Sequence, residues 1–432
     1  MNQTFPPSGP LTGRLQTPPD KSISHRAAMF AAMGRRPVRI LNYLRGEDTL
    51  STLAAVRSLG AEVHDSGDEL VVRGVGLRGG LRAPMEIDVG NAGTLMRLLP
   101  GWLAGQPAGA WTLDGDASIR RRPVDRIADP LRAMGARIEA REGRLPPFTI
   151  HGGPLRAIEY DMPVASAQVK SCVLLAGLLA EGQTTVIEPE ASRDHTERML
   201  LGAGADVRRD GTRVSVRPAG GVELGDVTVP GDPSSAAFHV AAAALVPGSR
   251  VTLTGMGSNW TRTGFLRIAE RMGVRLDAPL EPAGAPLTPG EPSCDVEVAH
   301  TELRGTVVEA AEVPLAIDEL PLVALLGCFA EGDTIVRGAG ELRVKESDRI
   351  ATVVEGLSAL GAAIEASDDG FVVTGTGGLR GGVLAAHGDH RLAMLGAVAG
   401  LASAGGVQVL GMEAAAVSYP GFLADLERLG AR

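Results

Sequence analysis

Arg343-Val344-Lys345-Glu346-Ser347-Asp348-Arg349 places five charged side chains within seven residues, just after the turn at Gly338 and Gly340. Burying so many charges is costly unless they pair or hold a charged ligand. If the stretch opens a helix, Lys345 and Arg349 lie four apart on one face, with Glu346 beside it. Two cations at a helix start suit an anionic substrate, and a carboxylate between them is placed to move a proton. A solvated helix start with local ion pairs would account for this stretch taken alone.

Lysine usage sets the stretch apart. Of 42 Lys and Arg residues only three are Lys: Lys21, Lys170 and Lys345. Lys is a compact ammonium that loses its proton when desolvated, whereas Arg is a fixed planar fork. A chain so biased toward Arg keeps Lys chiefly where Arg would not serve. All three lie in dense polar motifs, Asp20-Lys21-Ser22, Ser166-Ala167-Gln168-Val169-Lys170-Ser171 and the stretch above. They are read as pointers to one site, Lys21 and Lys345 ahead of Lys170.

Other motifs share this character. Lys21-Ser22-Ile23-Ser24-His25-Arg26 begins a helix that Asp20 or Ser22 would cap. Asn91-Ala92-Gly93-Thr94-Leu95-Met96-Arg97 reads as a loop opening a helix, with Gly93 letting backbone N–H groups approach an anion. Arg120-Arg121-Arg122-Pro123 gathers three cations in a loop, of which one or two are solvated. Ser166-Ala167-Gln168 marks a further helix start, and Ser192-Arg193-Asp194-His195-Thr196-Glu197 a charged turn. Ile317-Asp318-Glu319 sits between apolar residues, where burial of Asp318 would raise its pKa toward that of a usable base. Gly388-Asp389-His390-Arg391 opens the last helix. Singly each motif is a capped surface helix; together they put cations at helix starts in both halves of the chain. There is no Walker-type loop, no dinucleotide fingerprint and no zinc spacing. The expectation is a cleft between two domains that binds small, multiply anionic substrates with no cofactor and no metal. A site divided in this way predicts that binding closes the cleft.

The elements that must position these residues form an internal repeat. A helical pattern ends in Gly-Ala or a close variant, followed by a strand, a turn and a second strand. The glycines are Gly60, Gly135, Gly204, Gly273, Gly361 and Gly430, spaced by 75, 69, 69, 88 and 69 residues. Glycine there is a natural helix C-cap, because left-handed backbone costs it nothing. Six repeats of this length divide into two pseudo-threefold α/β domains rather than a solenoid. The breakers Val229-Pro230-Gly231-Asp232-Pro233 and Thr17-Pro18-Pro19-Asp20 predict two crossings. An N-terminal domain would then span 18–230, and a C-terminal domain 1–17 plus 231–432.

Composition agrees. A chain of 432 residues exceeds one ordinary core. A net charge of −9 and only 3% aromatics argue against nucleic-acid binding, so any anion site is a local basic cluster. Cys172, Cys294 and Cys328 have no metal spacing and cannot all pair, which fits a reducing cytoplasm. No signal pattern opens the chain and no apolar run reaches membrane-spanning length. The protein is expected to be a cytoplasmic monomer whose partners are small molecules.

The same motifs, in this order, closely resemble the 5-enolpyruvylshikimate-3-phosphate (EPSP) synthase family: Asp20 to Arg26, Asn91 to Thr94 with Arg97, Arg122-Pro123, Ser166-Ala167-Gln168, Arg193 to Glu197, Ile317-Asp318-Glu319, Arg343 to Arg349 and Asp389-His390-Arg391. The match covers nearly the whole chain, with forms like those of the family's second class. The resemblance implies two domains of three βαβαββ units each, the enolpyruvyl transferase inside-out barrel. It implies transfer of the enolpyruvyl group of phosphoenolpyruvate to the 5-hydroxyl of shikimate 3-phosphate, with release of phosphate, in aromatic amino-acid biosynthesis. Carried over by position, Lys21, Ser22, Arg26, Ser166, Ala167, Gln168, Arg193, Asp318 and Lys345 would hold shikimate 3-phosphate. Lys21, Asn91, Gly93, Thr94, Arg122, Gln168, Glu346, Arg349, His390 and Arg391 would hold phosphoenolpyruvate. Asp318 would accept the 5-hydroxyl proton and Glu346 donate one to the methylene carbon, with Lys21 or Lys345 assisting. Glyphosate, slightly longer than phosphoenolpyruvate, would compete in the pocket that Gly93 lines.

Two positions depart from the pattern of some members. Val417 stands where they carry Lys before the terminal aromatic-Pro, and Glu341 where they carry Asn. A related transferase acting on UDP-N-acetylglucosamine uses a Cys before an Arg-Pro pair; here that loop is Asp114-Gly115-Asp116-Ala117-Ser118-Ile119. A non-catalytic anion-binding repeat protein would have no need of Asp318 and Glu346 beside the lysines.

Overall fold

All six repeat glycines have positive φ, between 82° and 115°. The residue after each donates to the carbonyl five positions back, at 2.9–3.1 Å: Ala61 to Val56, Ala136 to Leu131, Ala205 to Leu200, Val274 to Ala269, Ala362 to Leu357 and Ala431 to Leu426. This six-to-one closure needs left-handed backbone at the glycine, and it ends six helices the same way. The computed structural model describes residues 1–79 and 84–431, so Arg432 of the last repeat lies outside the described residues.

The second repeat shows the pattern. Strand Met85–Asp88 leads through helix Gly93–Ala104 to the parallel strand Ala110–Asp114. Helix Asp125–Ala133 follows, then a hairpin of Arg137–Arg141 and Leu145–His151 that extends the sheet antiparallel. Trp111, Leu113, Phe148 and Ile150 alternate inward, as a half-buried sheet requires. The third and fifth repeats have the same βαβαββ order. The first repeat of each domain borrows its leading strand. Val227–Thr228 pairs with Pro37–Leu41, and Thr12–Gln16 with Arg250–Gly257, both parallel. In the last repeat, Asn2–Phe5 completes a sheet with Val407–Leu410 and Gly382–Ala385.

Each domain has its own core. The crossover helices Lys21–Met33, Gly93–Ala104 and Ala167–Gly177 fill one, and Pro233–Leu245, Leu320–Phe329 and His390–Ala402 the other. All 13 residues of Pro233–Leu245 are buried, so an Ala-rich run with no polar face suits it. With helices inside and sheets around them, each domain is the expected inside-out barrel.

One domain comprises Met1–Pro18, Pro230–Ala283 and Pro292–Arg432, the other Pro19–Val229 with Gly284–Glu291. The expectation kept 231–432 in one piece; residues Gly284–Glu291 pack with the N-terminal domain instead. Nothing in their local pattern announces this, because their contacts are made far along the chain.

Candidate active site

In the N-terminal domain the central helices begin at the same pole, and the polar motifs are their first turns. Asp20 caps the Lys21 helix by accepting from Ile23 N at 2.8 Å, and Ser166 caps the Ala167 helix. Lys21 Nζ lies 2.9 Å from Asp48 Oδ2. Arg26, only 3% exposed, donates to Thr196 Oγ1 at 2.8 Å, Ser171 Oγ at 3.0 Å and the Ser22 carbonyl at 3.1 Å. Burial pulls it down to about 10, with Glu197 and Asp20 acting the other way, so it stays charged near neutral pH. Arg193 is near enough to Arg26 for the two charges to repel. A pole that brings cations together in this way favours an anion.

Two further groups complete this pole. Arg97 donates to Gln168 Oε1 at 2.6 Å, and Gln168 Nε2 to Thr94 Oγ1 at 3.2 Å, tying the Gly93 and Ala167 helices together. Arg122 reaches Asn91 Oδ1 at 3.4 Å and Ser118 Oγ at 3.2 Å. A Cβ at Gly93 would stand 2.9 Å from Arg122 Nη1, so this glycine allows the guanidinium to lie against the helix start. Of the neighbouring cations, Arg120 turns away to pair with Asp114 at 2.6 Å, and Arg121 is exposed.

The pole of the C-terminal domain is built differently. Asp318 lies in the link between helices Val313–Ala316 and Leu320–Phe329. Three cations surround its carboxylate: Lys345 at 3.8 Å, Arg349 at 3.4 Å and Arg391 at 3.5 Å. Arg349, 1% exposed, also meets Glu346 at 2.5 Å and Asp389 at 2.8 Å. Burial works against its charge, but Glu346 and Asp389 outweigh it and hold Arg349 above its ordinary range. Asp389 caps the His390 helix through Arg391 N at 2.9 Å and accepts from Ser347 Oγ at 3.0 Å. Burial pushes Asp389 up, yet Arg349 and His390 prevail and keep it below the usual carboxylate range. Buried Glu319 accepts from Ser234 and lies 3.9 Å from Arg391.

A family model described as EPSP synthase (3-phosphoshikimate 1-carboxyvinyltransferase) matches residues 6–426. The chain belongs to the EPSP synthase family. A 3-phosphoshikimate 1-carboxyvinyltransferase of Acidithiobacillus ferrooxidans is 49% identical over 428 residues, covering 98% of this chain and 96% of that one. One from Shouchella clausii is 47% identical over 421 residues, covering 97% and 96%. The EPSP synthase structure from Acinetobacter baumannii superposes with a TM-score of 0.86 at 41% identity, covering 100% of this chain and 98% of that one. An enolpyruvyl transferase from Streptomyces tendae, TM-score 0.76 at 20% identity over 99% and 97% of the two chains, shares the fold.

In this EPSP synthase family member Lys21, Ser22, Asn91, Gly93, Thr94, Ser166, Ala167, Gln168 and Arg193 lie at or next to helix starts of the N-terminal domain, with Arg26 further along the Lys21 helix and Arg122 just after the turn Ile119–Arg121. Asp318, Lys345, Glu346, Arg349, His390 and Arg391 cluster in the C-terminal domain. Four expectations need correction. Lys345 and Arg349 do not share a helical face, because Asp348 caps a helix that begins at Arg349 and Lys345 precedes it in extended backbone. They still converge on Asp318. Asp318 is not an isolated carboxylate: Lys345, Arg349 and Arg391 all lie at ion-pair distance from it. The His390 helix is not the last, since Phe422–Arg428 follows. Lys170 belongs to no open pole; it is 1% exposed and clamped at 2.7 Å by both Glu188 and Glu197.

Asp48 was not found from sequence. It lies in the helix Glu47–Ser58, in Gly46-Glu47-Asp48, and no local pattern ties it to Lys21. The loop 114–119 holds no Cys, and the three thiols are all pushed up by burial, Cys328 to about 12. Among the described residues no cluster of metal-binding side chains occurs and no helix is long and apolar enough to cross a membrane.

Proposed function

We propose that this chain transfers the enolpyruvyl group of phosphoenolpyruvate to the 5-hydroxyl of shikimate 3-phosphate, releasing inorganic phosphate. The observation that carries the reading is the Asp318 cluster, a carboxylate among three cations with Glu346 on the same arginine. An anion-binding protein has no use for such a carboxylate, which opposes the anion it would hold.

In this reading, Arg26, Ser22, Ser166, Gln168 and Arg193 hold shikimate 3-phosphate. Lys21, Arg122, Arg349 and Arg391 hold phosphoenolpyruvate beside Asn91, Gly93, Thr94 and His390. Asp318 takes the 5-hydroxyl proton as the oxygen bonds to C2 of phosphoenolpyruvate. Glu346 gives a proton to C3, which completes a tetrahedral adduct. Elimination then breaks the bond from C2 to the phosphate oxygen. Glu346 takes a proton back from C3, restoring the double bond, and the phosphate leaves with the bonding electron pair and the proton that Asp318 had taken up. Lys21 and Lys345 stabilise the charge that develops in both steps. Both substrates are small anions, and the reaction needs neither redox equivalents nor a group carrier.

Phosphate release measured with phosphoenolpyruvate and either shikimate 3-phosphate or UDP-N-acetylglucosamine tests the reading. Release is expected with shikimate 3-phosphate alone. Release with the nucleotide sugar, or with neither, would overturn it.

A further inference from the structure

The long spacing from Gly273 to Gly361 has a structural counterpart. Where the first, second, third and fifth repeats make short hairpin turns, residues 278–292 connect strands Arg275–Asp277 and Ser293–Ala299. The connection carries Pro279, Pro282, Pro286, Pro289 and Pro292, which restrict its backbone on either side of turns at Gly284 and Gly290. Connections this long inside a domain are uncommon and usually have a role. Its middle, Gly284–Glu291, packs with the N-terminal domain.

Those contacts surround the first turn of helix His195–Gly202. Glu291 Oε1 lies 2.7 Å from His195 Nδ1, with both side chains buried. Arg198 donates to Thr288 Oγ1 at 3.4 Å, and Arg209 to the Ala285 carbonyl. Both arginines also hold Asp194, at 2.9 Å and 2.8 Å. Asp194 is therefore diverted from capping: this helix start has no side-chain cap, unlike those at Asp20, Ser166, Asp348 and Asp389. An uncapped turn must be positioned by its neighbours. Lys170 holds it from one side through Glu197 and the Ser192 carbonyl. Glu291 holds it from the other, and His195 Nε2 has no hydrogen-bond partner among the described residues. The turn bears Arg193 on one flank of His195 and Thr196 on the other, and Thr196 accepts from Arg26.

We propose that Glu291 is a positioning residue: through His195 it sets the turn that aims Arg193 and Arg26 at shikimate 3-phosphate. The inference rests on the reading that these two arginines hold that substrate. It is specific to one substrate, because the turn before helix His195–Gly202 carries none of the groups assigned to phosphoenolpyruvate.

Steady-state kinetics of Glu291→Ala, Glu291→Gln and Arg193→Ala separate the possibilities. Glu291→Ala should raise KM for shikimate 3-phosphate about tenfold, as expected for one lost buried charged hydrogen bond. KM for phosphoenolpyruvate and kcat should stay within about twofold, the split expected of lost ground-state binding. Glu291→Gln should restore most of the affinity, since its amide oxygen still accepts from Nδ1–H. Equal rises in both KM values, a fall in kcat alone, or no change would overturn the proposal. If Arg193→Ala raises KM for shikimate 3-phosphate while Glu291→Ala does not, the positioning role fails and the substrate assignment stands. If Arg193→Ala has no effect, the substrate assignment itself fails, and the inference with it. Should Glu291→Ala not fold, Glu291→Asp, which withdraws the carboxylate by one methylene, is expected to show the same split.

Discussion

The two domains share a plan and differ in how they treat charge at the pole. In the N-terminal domain Arg26, Arg97 and Arg122 hydrogen-bond hydroxyl, amide and carbonyl groups, while Asp48 meets Lys21. In the C-terminal domain Asp318, Glu319, Glu346 and Asp389 stand among Lys345, Arg349 and Arg391 at ion-pair distance. Hydroxyl, amide and carbonyl partners fix the direction of a guanidinium. Interleaved carboxylates reduce the field but supply groups that exchange protons. One repeat architecture thus yields a pole suited to grip and a pole suited to chemistry. The change lies in residues at and just before the helix starts and leaves the folds alike.

The sharpest way to break this contrast is to remove charge from each pole. Asp318→Asn and Glu346→Gln should lower kcat by about 10²–10⁴-fold, the usual worth of a positioned proton-transfer group. Their KM values should move only a few-fold. Arg193→Met should do the reverse, raising KM for shikimate 3-phosphate with a smaller change in kcat. Steady-state kinetics of the three variants check this, and a kcat defect of equal size in all three would erase the distinction.

The domains should behave alike under acid. His25 in one and His239 in the other are buried, and burial lowers both to about 3 from an ordinary 6.5. Each stays neutral in the folded chain while the unfolded chain takes up a proton below about pH 6.5. Stability is therefore full above that pH. It falls by about 1.4 kcal/mol per pH unit per histidine between pH 6.5 and 3. Urea melts across this range should lose the slope of one histidine in His239→Gln.

Lysine substitutions probe the poles against the interior. Lys21→Arg and Lys345→Arg should lose about tenfold or more in turnover, because a planar fork replaces a compact ammonium beside reacting groups. Lys170→Arg should be milder in turnover but should lose about 1–3 kcal/mol of stability, since the larger group must enter a packed, buried site. Near-normal turnover of Lys345→Arg would remove the lysine argument.

The smallest effect is expected at Gly93. A methyl there meets Arg122 Nη1 at 2.9 Å, the mobile end of a side chain, so the guanidinium shifts and the helix stays. The displaced arginine narrows the pocket at a cost of about 1 kcal/mol, borne mainly by the longer ligand. Gly93→Ala should raise the inhibition constant of glyphosate several-fold more than KM for phosphoenolpyruvate. An unchanged ratio of the two would show that Gly93 does not border the extra length of the inhibitor.

What sequence alone determined is local. The six glycines specified six helix ends, because a left-handed residue is a property of one position and its hydrogen bonds reach only five residues back. Asp20, Ser166 and Asp389 specified helix starts for the same reason. The motifs those starts carry named nearly all of the candidate site. Tertiary structure decided what pairs with what. Lys21 and Lys170 look alike in sequence, yet one meets Asp48 at a pole and the other is sealed between Glu188 and Glu197. Asp318 reads as an isolated carboxylate until the fold brings Arg349 and Arg391 to it from two other helices. Glu291 lies 96 residues from His195, within a proline-rich connection that carries no motif. Charge interactions depend on distance and burial in space, and neither is encoded in the spacing of residues along the chain.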